Sequence, residues 1–405
     1  MPAPIALAFS GGLDTSFCVS YLKEKTGREV HTVTVDTGGF SDEEKAEIAA
    51  RSEALGAAGH TLVDARADLW ERVLSFLVKG NVLRGGVYPL CVGPERVVQA
   101  EALAEAARGL GATAVAHGST GAGNDQIRFD AALRLLADDL EILTPIRQLS
   151  LSRADSAAYL RERGFAVEET TTDYSVNRGL WGTTIGGKET HATDGVLPEA
   201  AWPDTVSPAE APDDPHRVQI RFEAGVPVAL DGEALDPVAL VERLNREGAA
   251  HGVGRGIHVG DTILGIKGRI AFEAPAALTL IEAHRELEKL ALTQLQLVQK
   301  SQLGDLYGRL VHEGLFFDPV CRDLEAFLDS TQRRVSGDVT VEWFKGAIRV
   351  LGATSPHSLF DAGVARYGED NALWSGRDAE GFAQIYGLQA RLAARASGQP
   401  VSSST

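Results

Sequence analysis

The chain has 405 residues, 39 Lys and Arg against 56 Asp and Glu, a formal charge of −17, and 44% hydrophobic residues. That length accommodates two domains and a sizeable core, while the acidic balance argues against a general nucleic-acid binder, which needs a Lys/Arg surplus. Cys18, Cys91 and Cys321 are odd in number and far apart, with no CxxC, which argues against a disulfide framework or a structural zinc site and fits a reducing compartment.

The start, "MPAPIALAFSGG", lacks the basic start and long apolar core of a signal peptide, and no apolar run approaches a membrane span. The expectation is a soluble cytoplasmic protein with no membrane partner. Residues 4–9, "PIALAF", read as a buried strand, and Leu13, Phe17 and Tyr21 then recur at helical spacing until Gly27 can close the helix. "SGGLDTS", residues 10–16, therefore joins a strand end to a helix start. Gly11 and Gly12 are expected to turn the backbone with positive φ and bring its N–H groups close to a ligand. A helix N-terminus favours an anion, and Ser10, Thr15 and Ser16 add hydroxyls, so the loop reads as a phosphate site rather than a capped turn. It lacks the Lys of a Walker A loop, so it does not follow the usual kinase or GTPase design.

"VHTVTV" (30–35), "TAVAHG" (113–118) and "LEILTPI" (140–146) read as further buried strands, with helices between them, one capped by Ser41. Such alternation means a doubly wound parallel α/β sheet with helices on both faces and ligands at the carboxyl ends of its strands. "HGSTGAGNDQIRFD", residues 117–130, follows "TAVA" and should open at the same sheet edge as the first loop. Arg128 suits bidentate recognition of carboxylate or phosphate, and Asp125 suits an ammonium group. The glycine order does not fit a GxGxxG fingerprint, which leaves a substrate loop or a solvated surface loop. Ser152 and Asp155 then stand at capping-box spacing before another helix.

Residues 173–190, "DYSVNRGLWGTTIGGKET", set Ser175, Asn177, Arg178, Thr183, Thr184, Lys188 and Glu189 among glycines. Leu180 and Trp181 favour a docked loop over a disordered linker. Five prolines over residues 191–216 mark a long irregular excursion. Beyond it "RVQIRFEAGVPVAL" and "VTVEWFKGAIRVLG" read as strand pairs and "ALTLIEAHRELEKLALTQLQLVQKSQ" as long helices, an α+β second domain. "EGFAQIYGLQARLAARA" reads as one tail helix with Phe382, Ile385, Tyr386 and Leu392 roughly on one side, to pack on its own domain or on a neighbouring subunit. "SGQPVSSST" reads as a frayed end. No Ser-His-Asp or Cys-His nucleophile arrangement and no HExxH stands out.

"SGGLDTS" resembles the SGGxD(S/T) pyrophosphate loop of the N-type ATP pyrophosphatases, the PP-loop superfamily. Together with "HGSTGAGNDQIRF", "YSVNRGLWGTTIGGKET" and "HGVGRG…GIKGR…FEAP", it makes the chain resemble the argininosuccinate synthase family from Ala8 to the C-terminal helix. The resemblance implies an adenine nucleotide alpha hydrolase-like nucleotide domain over 1–168, an α+β synthetase domain over 169–365, and an oligomerisation helix with its tail over 366–405, in a cytoplasmic homotetramer. It also implies a ligase of arginine biosynthesis that uses ATP and Mg²⁺ and takes citrulline and aspartate. The ureido oxygen of citrulline attacks the α-phosphorus, pyrophosphate leaves, and the amine of aspartate then expels AMP. Both nucleophiles belong to substrates, so the protein has to align them and stabilise charge on the leaving groups.

By motif, the resemblance implies that Ala8, Ser10, Gly11, Gly12, Leu13, Asp14, Thr15 and Ser16 cradle the phosphates, with Val35 at the adenine and Gly118 against the nucleotide. Thr120, Asn124 and Asp125 would bind aspartate, and Tyr88, Arg128, Ser175 and Thr184 would line the citrulline pocket. Asp14, Asp125 and Arg128 would stand closest to the chemistry, and no residue is assigned as a metal ligand. The chain departs from the family pattern at Ala122, where a Lys is usual, and at three citrulline-pocket positions: Gly93 for Ser, Gly260 for Glu, and Phe272 for Tyr. The missing carboxylate removes a partner for the α-ammonium of citrulline, a charged hydrogen bond of about 1.5–3 kcal/mol. Either Asp261 or a residue of the 173–190 segment replaces it, or the site takes a citrulline whose α-nitrogen is acylated and uncharged. The rival readings are an adenine-nucleotide sensor, which would bind ATP without releasing pyrophosphate, and other synthetases with the same loop. The latter include tRNA thiolases, which need a cysteine pair and a basic surface not evident here.

Overall fold

The computed structural model describes residues 2–167, 174–361, 363–364, 367, 371 and 373–398. Strands β1 (Ile5–Ala8), β2 (Val30–Asp36), β3 (Gly59–Asp64), β4 (Ala114–Ala116) and β5 (Glu141–Leu143) form a parallel sheet in the order β3-β2-β1-β4-β5. Ile5 pairs with Val30 on one side and Ala114 on the other. Successive side chains of β1 enter different cores, Ile5 and Leu7 on one face and Ala6 on the other, as the two-residue period of a strand requires. Helices Leu13–Thr26 and Arg153–Glu162 cover the first face through Phe17, Val19, Leu22 and Leu160. Helices Glu95–Gly109 and Asp125–Leu136 cover the second through Leu103, Ala107, Phe129 and Leu133. The chain order reverses between β1 and β4, so the loops that follow these two strands part and leave a crevice.

Local chemistry sets the ends of these elements. Gly27 closes the first helix in the left-handed region at φ +65°. Ser41 with Glu44, and Ser152 with Asp155, form reciprocal capping boxes. β5 stops at Leu143, short of the run read from the sequence, because Pro145 opens a helix over Pro145–Leu149. β3 has no apolar pattern to announce it; it is an edge strand with Leu62 exposed, held by its ladder to β2.

Two antiparallel sheets follow. β8 (His216–Glu223), β9 (Val226–Leu230), β10 (Glu233–Ala234), β13 (Gly337–Phe344) and β14 (Ala347–Thr354) take the order β10-β9-β8-β13-β14. β6 (Tyr174–Gly179), β7 (Gly182–Gly187), β11 (Arg255–Asp261) and β12 (Lys267–Glu273) take the order β11-β12-β7-β6. The segment read as a docked loop is thus a hairpin, whose strand character its glycines conceal; Asp173 lies outside the described residues. Its turn, Leu180–Trp181, anchors it: the fully buried Trp181 donates from Nε1 to the Pro89 carbonyl at 2.9 Å. The long helical run is two helices, Pro275–Ala291 and Gln294–Glu313, with Thr293 capping the second. Residues 192–215 are irregular apart from a short 3₁₀ helix at Glu199–Ala201 and a turn in which the Glu210 and Ala211 N–H groups donate to the Ser207 carbonyl.

Residues Met1–His357 form one compact unit and Ser358–Thr405 a second. The second unit carries two helices, Gly376–Tyr386 and Leu388–Ala396, rather than the single one expected. They part at Gly387, the residue type that costs about 1 kcal/mol inside a helix. Neither helix has a buried residue. The expected junctions at 168/169 and 365/366, and most of the tail read as frayed, lie outside the described residues.

Candidate functional site

A cavity of about 910 Å³ opens at the carboxyl ends of β1, β2 and β4. Ala8, Ser10, Gly12, Leu13, Asp14 and Thr15 form one wall. Gly11 makes the turn at φ +73°, where a Cβ would also meet Ile48 Cγ1 at 2.9 Å. Gly12 does not share that conformation: it lies at φ −71°, ψ 171°, the extended geometry of a helix N-cap. It offers no side-chain acceptor, so the N–H groups of the first turn are left for a ligand. Gly118 closes the wall from the β4 loop, where a Cβ would lie 3.1 Å from Thr15 Cγ2 and 3.3 Å from the Asp14 carbonyl carbon. Burial raises the Asp14 carboxyl, against the pull of Arg153. Ser16 stands apart from the cavity: it is buried, and its Oγ accepts from Arg51 Nε at 2.9 Å. Val33, Val35 and Phe40 give an apolar flank beside this wall.

The floor is a chain of linked charges in which Glu95 and Arg128 are buried and the Asp125 side chain is 37% exposed. Arg96 Nη2 donates to Asp125 Oδ2 at 2.9 Å while its Nη1 stands 3.3 Å from Glu95 Oε2. Arg128 donates from Nη1 to Asp125 Oδ1 at 2.9 Å, from Nε to the His312 carbonyl at 2.9 Å, and from Nη2 toward His312 Nδ1 at 3.2 Å. Burial would raise the Asp125 carboxyl, but Arg96 and Arg128 outweigh it and hold the group well below the usual range. Glu95, with a weaker share of Arg96, is pushed up by burial to about 8. One acid is thus kept ionised and its neighbour kept protonated near neutral pH. Asp125 already serves two guanidinium groups, so it is less free for a substrate ammonium than its sequence position suggested.

Tyr88, Thr120, Asn124, Ser175, Thr184 and Gly260 line the remaining walls. Asn124 Oδ1 accepts from the Ile263 N–H at 2.9 Å, tying the β4 loop to the β11–β12 turn. Tyr88 stacks on His258 at 5.5 Å and leans on Phe272 at 5.2 Å. Phe272 and Gly93 do not reach the cavity. Phe272 is buried beneath Gly256, where a Cβ would overlap its ring, and Gly93 backs Arg128, its would-be Cβ 3.3 Å from Nη2. At Gly260 a Cβ would fall 2.4 Å from His258 Nε2, so the imidazole fills the space of the missing side chain. The Asp261 carboxylate pairs with Lys267 at 2.7 Å with its side chain 58% exposed, which sets it apart from the replacement role the sequence left open.

Four residues that the motifs did not single out complete the walls: Arg84, Arg96, His258 and His312. Two carried a signal. In "GIHVGD" the exposed Ile257 and Val259 alternate with His258 and Gly260, which puts the latter pair on the inner face. His312 continues the buried stripe Lys300, Gly304, Gly308 at four-residue spacing.

The family described as "Arginosuccinate synthase N-terminal HUP domain" matches residues 4–166, and "Arginosuccinate synthase C-terminal domain" matches residues 174–393. Argininosuccinate synthase of Methanopyrus kandleri is 44% identical over 397 residues, covering 97% of this chain and 99% of its own length. Those of Methanocaldococcus jannaschii and Xanthomonas campestris are 40% and 41% identical, covering 95% and 96% of this chain and 96% and 98% of their own lengths. A helix start with unspent N–H groups and a carboxylate–guanidinium network line one cavity, and matches that span both parts of the chain place this protein in the argininosuccinate synthase family.

Proposed function

We propose that the chain catalyses the condensation for which its family is named, joining the ureido carbon of a citrulline-type substrate to the amino group of aspartate at the expense of ATP, in arginine biosynthesis. The observation that carries this reading is the meeting of the phosphate wall and the Asp125–Arg128 floor in one cavity. The first-turn N–H groups and the hydroxyls of Ser10 and Thr15 hold the phosphates, Val35 flanks the adenine, and Gly118 lets the nucleotide approach the backbone. Thr120 and Asn124 receive aspartate, with Asp125 fixing the guanidinium groups around it. Arg128 spends one N–H of each nitrogen on the protein and keeps its two remaining donors for the second substrate, beside Tyr88, Ser175 and Thr184.

The ureido oxygen attacks the α-phosphorus and pyrophosphate departs. The aspartate amine then bonds to the activated carbon, loses a proton, and AMP leaves. Placement supplies most of the acceleration, because each nucleophile is a substrate group. Among the described residues no cluster of three or more His, Cys, Asp or Glu could hold a metal. The Asp14 carboxyl, in the phosphate wall and raised by burial, suits a cation that arrives with the phosphates. Mg²⁺ fits, since it takes one or two carboxylates with phosphate oxygens, and it supplies charge neutralisation to the leaving pyrophosphate.

The protein works as a cytoplasmic homotetramer, with a nucleotide domain over 1–168, a synthetase domain over 169–365 and a tail over 366–405 that reaches neighbouring subunits. The exposed Phe382, Ile385, Tyr386 and Leu392 support the last assignment. Pyrophosphate release that requires both aspartate and a ureido acid tests the reaction; ATP binding without release under any combination would favour a nucleotide sensor.

A further inference from the structure

Arg84, Tyr88, Arg128, His258 and His312 bound one end of the cavity with cations and donors. Among the described residues the cavity is lined by five carboxylates, and each is placed or paired elsewhere. Asp14 sits in the phosphate wall, Glu44 accepts from the Ser41 N–H at 2.8 Å, Glu95 and Asp125 share Arg96, and Asp261 pairs with Lys267. At position 260, on the strand face shared with His258, there is no side chain, and the imidazole stands in its place.

Two buried ring nitrogens at this end lack a partner, His258 Nε2 and His312 Nε2. His312 is 8% exposed, and its Nδ1 faces a donor, Arg128 Nη2, at 3.2 Å. Nδ1 therefore accepts, and the ring proton sits on Nε2. Burial, with Arg128 and Arg84 nearby, holds His312 down to about 3, so the ring is a neutral N–H donor on the cavity wall. Arg84 spends Nη2 on the Asp261 carbonyl at 2.6 Å and keeps its charge toward the same space. An ammonium group here would face two guanidinium groups, and the described carboxylates beside them, Asp125, Asp261 and Glu313, are already paired with Arg128, Lys267 and Arg309; a carboxylate would meet two cations and an unused N–H.

Given the proposed condensation, on which this rests, we infer that the ureido substrate carries no charge on its α-nitrogen position and presents a carboxylate to Arg84, Arg128 and His312. It is a ureido acid of the N-acylcitrulline or des-amino class. The bonds made and broken are those of the condensation itself, and the acyl group takes no part in them.

The test is the rate of pyrophosphate release from MgATP and aspartate with citrulline, N-acetylcitrulline, N-succinylcitrulline and 5-ureidopentanoate. We expect kcat/KM at least tenfold higher for one of the last three than for citrulline. N-acyl and des-amino compounds separate tolerance of an acyl group from mere loss of the ammonium. The double variant His258→Val with Gly260→Glu is expected to shrink that ratio at least tenfold. His312→Phe should raise KM for the preferred acid, and His312→Gln, which keeps a donor, should restore it. Citrulline turning over as well as or better than the others overturns the inference and leaves the condensation standing. No aspartate-dependent release with any of the four sinks the condensation itself. The ranking on the unaltered protein decides even if the double variant does not fold.

Discussion

The two walls of the cavity are built differently. The wall proposed to hold the phosphates comes from two contiguous loops and offers largely backbone N–H groups, close approach and a helix start. The opposite wall gathers side chains from positions as far apart as Arg84, Arg128, His258 and His312, each held by a partner from another element. A backbone site depends on glycines and hydroxyls at short spacing. A side-chain site depends on buried charges that must all find partners, so it fails as a unit.

Breaking that unit has the largest expected effect. Arg128→Leu strips Asp125 of one of its two guanidinium groups and should lower stability by roughly 1.5–3 kcal/mol, read as a lower melting temperature, together with a loss of more than tenfold in kcat/KM. A loss under tenfold, confined to KM, would mean that the floor is not a cooperative network. Gly118→Val acts on the other wall, adding methyls where a Cβ already lies 3.1 Å from Thr15. Overpacking of about 1–3 kcal/mol should appear as a raised KM for ATP with little change in the KM values of the two acids.

Glu95 sharpens the contrast through pH. Its carboxyl is raised from 4.5 to about 8 in the folded chain, so the folded state binds the proton more tightly than the unfolded state. The stability this contributes is complete below pH 4.5 and is lost as pH rises to about 8. Melting temperature should fall across that window, and Glu95→Gln should flatten the slope; an unchanged slope would assign the titration elsewhere. The smallest effect belongs to Ser16→Ala, which removes the bond from Arg51. A loss of about 1 kcal/mol in stability with the KM for ATP within twofold is expected, whereas a large rise in KM would return Ser16 to the phosphate wall.

The same contrast explains what could be read without coordinates. β1, β2 and the "SGGLDTS" turn were legible because apolar run, glycine and cap lie next to one another in the chain. The caps at Ser41 and Ser152 formed as their spacing indicates, since both partners lie within one helical turn. β3 is not legible because an edge strand needs no apolar pattern, and the β6–β7 hairpin is not because glycines hide its alternation. The positive φ expected of Gly12 gave way to the N-cap geometry of its own helix. In the side-chain wall, Arg96 and His312 acquire their roles from partners 29 and 184 positions away, which no local pattern encodes.

The central claim is that a ureido oxygen attacks the α-phosphorus of ATP in this cavity. The most direct measurement uses citrulline and N-acetylcitrulline, each labelled with oxygen-18 in the ureido group, with MgATP and aspartate, and reads the AMP by mass spectrometry. The account predicts one labelled oxygen in the AMP, formed in step with pyrophosphate and the condensed product. Unlabelled AMP, or ADP with inorganic phosphate, would contradict it.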